Sequence, residues 1–280
     1  MSFFEALTNY SFLQNALVAG ILVSAVCSIL SVYIVFKKMA FIGQGISHSA
    51  FGGVAAGIFI FGTGSAAALS VQAVTLFFCV SVALLIGWIS RKHLVSEDSA
   101  IGIFFVASMS LGIVFISLRD EYTSDIFNYL FGNILAVSRN EILVIGVVAA
   151  LVLATIYFLF KEFKFYCFDE EMAGVYGVPV AFMHYLLLVL IAVTIIISIK
   201  VIGIILVSAF LVIPAAAARL LTEKYETIFL YSFLLGQTAN IVGLWISYRW
   251  EIPSGAAIVL ILTAFFLASY AFAVSRRSKE

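Results

Sequence analysis

Apolar residues fill this chain in long, nearly unbroken blocks separated by brief charged interludes. A block of about 20 apolar residues is what an α-helix needs to cross the hydrocarbon core of a bilayer. By that measure the chain divides into spans near 12–36, 41–62, 66–89, 100–118, 141–160, 182–199, 201–220, 227–247 and 254–275. The pattern predicts an all-α fold, a polytopic integral membrane helical bundle of about nine transmembrane helices. A shorter apolar stretch, Ile126 to Val137, lies between Asp125 and Arg139. It is too short to cross and reads as a re-entrant or surface helix.

Composition narrows the picture further. Of 280 residues, 64% are hydrophobic and 11% charged. The interludes run to a dozen or two residues, whereas a soluble domain needs about 50, so 1–280 reads as a single transmembrane domain surrounded by lipid. Net charge is zero and the basic residues sit in small clusters at helix ends, so nothing points to nucleic acid. Cys27, Cys79 and Cys167 have neither the number nor the spacing of a disulfide set or a zinc knuckle and read as packing residues. No basic residue precedes the first apolar run, and that run is too long for the core of a cleaved signal, so it stays as the first span.

Lysine and arginine give the orientation, because positively charged loops are disfavoured on the far side of the membrane. With the amino terminus outside, the cytoplasmic side receives Lys37, Lys38, Arg91, Lys92, Lys161, Lys164, Arg219, Lys224, Arg276, Arg277 and Lys279. The outer side receives only Arg119, Arg139, Lys200 and Arg249. An odd number of spans then puts the carboxyl terminus in the cytoplasm, together with the 161–180 segment.

Polar residues inside the apolar blocks are the candidates for chemistry. The segment GQGISHSAFGGVAAG, residues 43–57, places Gln44 and His48 one turn apart on the same face of a membrane helix. Such groups face a bundle interior or a solvated pathway rather than lipid. Imidazole is a good ligand for zinc and other transition metals, while hydrogen bonding to a neighbouring helix would explain His48 equally well. Gly45, Ser49, Gly53 and Gly57 recur every fourth residue and leave a second face nearly bare, which lets another helix approach closely. Gln237, Thr238 and Asn240 form a polar patch in the eighth span, read as helix packing or as pore lining.

The internal segment KEFKFYCFDEEMAGVYGVPV, residues 161–180, is amphipathic and acidic where the other cytoplasmic connections are short and basic. Asp169, Glu170 and Glu171 suit the first turn of a short helix, where acidic groups complement the exposed amides. Gly174, Gly177 and Pro179 then stop it. A short cytoplasmic helix between two spans is a shape that can accept force from a soluble motor; the plain alternative is a solvated connector. No GxxxxGK[ST] phosphate loop occurs, so nucleotide energy would have to come from a partner. Pro214 predicts a kink and a possible gate in the seventh span, with Arg219 and Glu223 spaced to pair at i and i+4. Asp120, Glu121 and Asp125 make an external acidic cluster, His93 a loop residue and His184 an interfacial one.

In order along the chain, the segments FIGQGISHSAFGG, SDIFNYLFGNILAVS, FDEEMAGVYGVPV, KVIGIILVSAFLVIPAAAARLL and IPSGAAIVL resemble the ABC-transporter permeases that import zinc, manganese or iron. The resemblance runs from about residue 12 to about 275. It implies a permease of the cytoplasmic membrane of a prokaryote, a homodimer or a paired permease. Cytoplasmic ATP-binding subunits would drive it, and an extracytoplasmic metal-binding protein would feed it. Such a chain hydrolyses nothing itself and holds no cofactor; the metal is cargo. Similar permeases carry DxxxH in the second span, which maps the histidine onto His48 and finds Gln44 in place of the aspartate. An amide oxygen coordinates a cation without adding negative charge, so the pair favours zinc over carboxylate-preferring manganese. On the same resemblance Asp169, Glu170, Glu171, Gly174 and Gly177 form the coupling surface. The competing readings are a secondary carrier with His48 as proton relay, and an ABC permease for siderophores or cobalamin. An intramembrane enzyme is disfavoured, since no HExxH and no serine, histidine and carboxylate set lies together at membrane depth.

Overall fold

The computed structural model describes residues 3–62, 67–92, 94–118 and 137–277. Among these, nine helical stretches are long and apolar enough to cross a membrane, and no strand is present. A short helix α1 (Phe3–Asn9) precedes α2 (Ser11–Phe36), α3 (Ile42–Phe61), α4 (Ala68–Ser90) and α5 (Glu97–Ser117). There follow α6 (Arg139–Phe158), two short helices α7 (Phe160–Phe168) and α8 (Glu170–Val175), and α9 (Val180–Phe210). The chain closes with α10 (Ile213–Leu221), α11 (Tyr225–Trp250) and α12 (Ser254–Arg277). The stretch 126–136, His93, Asp120, Glu121, Asp125 and Lys279 lie outside the described residues.

Local chemistry sets several of the boundaries. The Ser96 side chain accepts from Ser99 N at 3.2 Å and starts α5. At α6, Ser138 and Glu141 form a reciprocal capping box, which satisfies two otherwise orphaned donors. The long apolar run 180–210 is not one straight helix: Gly203 breaks it with φ 78 and ψ 165, a region open essentially to glycine. That break falls at the start of the seventh membrane stretch, Ile202–Leu221, just after the sixth, Val180–Ile199.

The seventh stretch is interrupted again, at Leu211 and Val212, and Pro214 stands in the first turn of α10. There its missing N–H costs nothing, because first-turn amides have no helical acceptor. The proline therefore follows the interruption instead of bending the middle of a continuous helix. The expected pairing of Arg219 with Glu223 does not form. Helix α10 ends at Leu221, Thr222 is extended, and the Arg219 guanidinium lies 5.3 Å from the centre of the Phe36 ring.

Helices α2 and α9 run through the interior, whereas α5, α6 and α12 turn much of their apolar surface outward. In a soluble protein that exposure would drive aggregation; against lipid it is the expected solvent-facing surface. Close approach inside the bundle relies on small residues. A Cβ on Gly53 would fall 2.9 Å from Thr75 Cα of α4, and one on Gly57 2.9 Å from Val71 Cα. A similar seam joins α2 to α11. The hydroxyls of Ser31 and Ser232 lie 3.1 Å apart, Ser232 donates to Ser28 O at 2.7 Å, and Gln237 donates to Ile21 O at 3.1 Å. Asn240 is fully buried in the same seam beside Gly20, whereas Thr238 is exposed and donates only within its own helix, to Leu234 O at 2.7 Å.

Candidate metal path and coupling site

The glycine and serine positions of α3 turn toward α4 and α5, which leaves Gln44 and His48 on another side. Gln44 is exposed and His48 half-buried. They occupy the first two turns of α3, His48 about 9 Å of helical rise beyond Ile42. The pair thus sits nearer one end of the span than its middle. His48 Nδ1 lies 3.0 Å from the Gln44 backbone oxygen. A carbonyl only accepts, so Nδ1 carries the proton and Nε2 keeps its lone pair. The ring stands edge-on to Phe105 of α5, centroids 5.0 Å apart. An imidazole oriented through one nitrogen and open at the other is the usual arrangement of a metal-binding histidine. The Gln44 side chain is not consumed by that bond and remains able to supply an oxygen. Among the described residues no group of three or more His, Cys, Asp or Glu could enclose an ion.

The second predicted region is built as a helix. Asp169 is the N-cap of α8, its carboxylate accepting from Met172 N at 2.9 Å. Glu170 and Glu171 occupy the first turn. Gly177, at φ 82, turns the chain back so that Val178 N donates to Ala173 O at 2.9 Å, and Pro179 leads into α9. Gly174 is exposed, with only Val180 near. The preceding α7 is pinned to the bundle: Phe163 packs on Tyr33 of α2, and Phe160 and Phe168 pack on Tyr225 of α11. Lys164 pairs with Glu226 at 2.6 Å. By contrast α8 and its C-cap leave apolar side chains exposed, Val175 by 79% and Tyr176 by 70%, beside Met172, with the Tyr176 ring 5.9 Å from that of Phe165.

Sequence reasoning misses what lies beneath α8. A cleft of about 590 Å³ is lined by Lys37, Arg91, Glu97, Tyr166, Glu170 and His184, among others. It brings together the α2–α3, α4–α5 and α6–α9 connections, three segments that the charge pattern assigns to one side of the membrane. Lys37 Nζ lies 3.3 Å from Glu170 and 4.0 Å from the centre of the Tyr166 ring. The Tyr166 hydroxyl is 2.8 Å from His184 Nδ1, so His184 is a buried partner of α7 and not an interfacial residue. Burial, and the nearby Glu170 carboxylate, hold the Tyr166 phenol well above its ordinary pKa. The sequence singles out Glu170 and His184 separately and absorbs Lys37 and Arg91 into the topology rule, with no local signal that the four line one cleft.

Comparison with known proteins follows the same lines. The model of the ABC 3 transport family matches residues 9–273. The chain is 36% identical over 276 residues to the manganese transport system membrane protein MntC of Listeria monocytogenes, covering 98% of this chain and 95% of that protein. It is 35% identical over 275 residues to the manganese import system permease protein ScaB of Streptococcus gordonii, covering 98% and 96%. Among solved structures it is similar to a chain of PsaBC from Streptococcus pneumoniae in complex with Fab. The TM-score is 0.82 at 34% identity, with 96% of this chain and 94% of that one covered. These are transport proteins and not enzymes, and a bundle of apolar helices without a phosphate loop matches them over nearly its full length. The chain belongs to the ABC 3 transport family, as a multi-pass membrane permease for metal whose ATP hydrolysis is carried by a separate subunit.

Proposed function

We propose that the chain, as one transmembrane domain over 1–280, imports a divalent transition metal across the cytoplasmic membrane by alternating access, with His48 as its principal ligand and Gln44 as the second. The observation that carries this reading is the His48 ring. Its Nδ1–H is committed to the Gln44 carbonyl at 3.0 Å, which leaves Nε2 as the free donor of a half-buried ring on the face of α3 where Phe105 of α5 flanks it. Because that face is polar and would be costly against lipid, a second permease copy covers it, and the two faces together line the path. The partnership is a homodimer, or a pair of close relatives.

The docking surface for the cytoplasmic ATP-binding subunit is α8, with Asp169 capping it, Glu170 and Glu171 in its first turn, and Gly174 and Gly177 shaping its end. Its exposed Met172, Val175 and Tyr176 are an apolar patch outside the spans, of the kind that marks a protein interface. An extracytoplasmic metal-binding protein delivers the ion at the other end. The amino terminus then lies outside and the carboxyl terminus in the cytoplasm, and the interruption before Pro214 is where the seventh span opens and closes.

For the metal, two observations pull apart. An imidazole nitrogen and a neutral amide oxygen suit zinc better than manganese, which prefers carboxylate oxygen. The similar proteins MntC and ScaB, however, are named for manganese. We take zinc as the reading from this chain's own donors and manganese as the second. Vesicles holding the permease, its ATP-binding partner and its binding protein test both levels. Uptake of labelled zinc should require ATP, persist when the proton gradient is collapsed, and exceed manganese uptake. Uptake driven by a gradient without ATP would refute the mechanism, and manganese exceeding zinc would refute the metal assignment alone.

A further inference from the structure

The turn between α2 and α3 has almost no slack. Lys37 N donates to Tyr33 O at 2.9 Å, Met39 N to Ile34 O at 3.0 Å and Ile42 N to Met39 O at 3.0 Å. Lys38 adopts φ 60, a left-handed conformation that L-residues other than asparagine and aspartate seldom hold. Met39 and Ile42 are fully buried. A displacement of Lys37 is therefore handed to the first turn of α3, where Gln44 and His48 follow within two turns. Lys37 is gripped from the other side: its ammonium meets Glu170 of α8 at 3.3 Å and the face of the buried Tyr166 of α7 at 4.0 Å. Its side chain is 16% exposed against 45% for Glu170, so the ion pair is partly screened while the contact with the buried Tyr166 ring is not.

We infer that Lys37 is a positioning residue that transmits movement of α8 to the metal-bearing helix α3 through its pairing with Glu170. The inference rests on the proposed docking of the ATP-binding subunit at α8 and adds the route from there to the ion. Of the acidic residues of this turn, Asp169 caps the helix, Glu170 and Glu171 both line the cleft, and Glu170 is the one that reaches Lys37. Glu97 and Arg91 line the same cleft, so a charge reversal at Lys37 would disturb them too. Neutral substitutions are the cleaner probe. The other ion pair of the region, Lys164 with Glu226, is exposed, joins α7 to α11, and bypasses α3; it is the control.

The test is a double-mutant cycle in vesicles holding the full assembly, scored as zinc or manganese moved per ATP hydrolysed, a ratio that lower folding yield does not change. Lys37→Met and Glu170→Gln should each lower the ratio about tenfold, as a coupling of about 1.4 kcal/mol would. The double variant should be no worse than the poorer single, and Lys164→Met should match wild type. Losses that multiply in the double variant, a ratio that stays at wild type, or an equal loss in Lys164→Met would each overturn the linkage. Docking is scored separately. If the ATP-binding chain still co-purifies with Val175→Glu, the docking reading fails and takes the linkage with it. If Val175→Glu loses its partner while Lys37→Met keeps both partner and ratio, the linkage alone fails.

Discussion

Replacing Gly53 by alanine tests whether α3 is held as closely as the structure describes. The added Cβ would stand 2.9 Å from Thr75 Cα, 3.2 Å from Phe78 Cβ and 3.3 Å from Thr75 Cγ2, where ordinary contact begins at 3.4 Å. The nearest atom is backbone, so no rotamer change relieves it, and α4 must move away by about half an ångström. Overpacking of this kind costs about 1–3 kcal/mol, and the better helix propensity of alanine returns at most about 1 kcal/mol. With that gain returned in full the net loss is about 0–2 kcal/mol, which lowers the folded population ratio by up to about 30-fold. Gly102 supplies the internal comparison, since a Cβ there meets nothing within 4 Å, and its substitution should be neutral or slightly stabilising. Thermal melting of the purified permease in detergent, followed by size-exclusion chromatography, reads both. Gly53→Ala melting at or above Gly102→Ala would show that α3 and α4 are not in hard contact, and that the orientation of His48 does not depend on that packing.

Restoring a carboxylate with Gln44→Asp should raise manganese uptake relative to zinc by about tenfold or more, because one negative charge is added to an otherwise neutral donor pair; an unchanged metal ratio would place Gln44 off the path. Burial pushes the Cys167 thiol up to about 12, with Glu170 adding to the rise and Lys37 opposing it. Since the folded state favours the protonated thiol, that contribution to stability is fully present below the ordinary thiol pKa of about 8.5 and fades as pH rises toward 12. At pH 8 the thiolate fraction is about a thousandfold below that of a free cysteine. Maleimide labelling of Cys167, quantified on its peptide, should be correspondingly slow in the folded permease and fast after denaturation. Equal rates would mean that α7 is not packed as described.

The parts of the fold legible in the sequence are those set by composition and by local chemistry. Nine apolar stretches of the sequence match nine membrane-length helical stretches among the described residues, because lipid forces each backbone to satisfy itself within a helix. Asp169, Gly177 and Pro179 mark α8 because capping and positive φ are properties of individual residues. His48 stands out because a lone imidazole in an apolar block demands an explanation. What stays hidden depends on neighbours distant in sequence. The division between the sixth and seventh spans is legible from Lys200, but that Gly203 carries the break is not, since it looks like any glycine in an apolar run. His184 resembles an interfacial residue because its partner, Tyr166, is eighteen positions earlier on another helix. Lys37 reads as one more positive charge on the cytoplasmic side, although its contacts with Glu170 and Tyr166 connect the two regions that the sequence singles out separately. The proline at 214 announces an interruption, yet the break lies at Leu211 and Val212, where the chain prepares a new helix start that proline suits.

The most direct measurement is the zinc, manganese and iron content, by mass spectrometry, of cells producing the permease with its cognate ATP-binding and metal-binding partners, compared with His48→Ala at matched expression. The account predicts that one of these metals, zinc first, accumulates with the wild-type chain and that His48→Ala abolishes the gain. Accumulation that survives the loss of His48, or an assembled complex that raises none of the three metals, would contradict it.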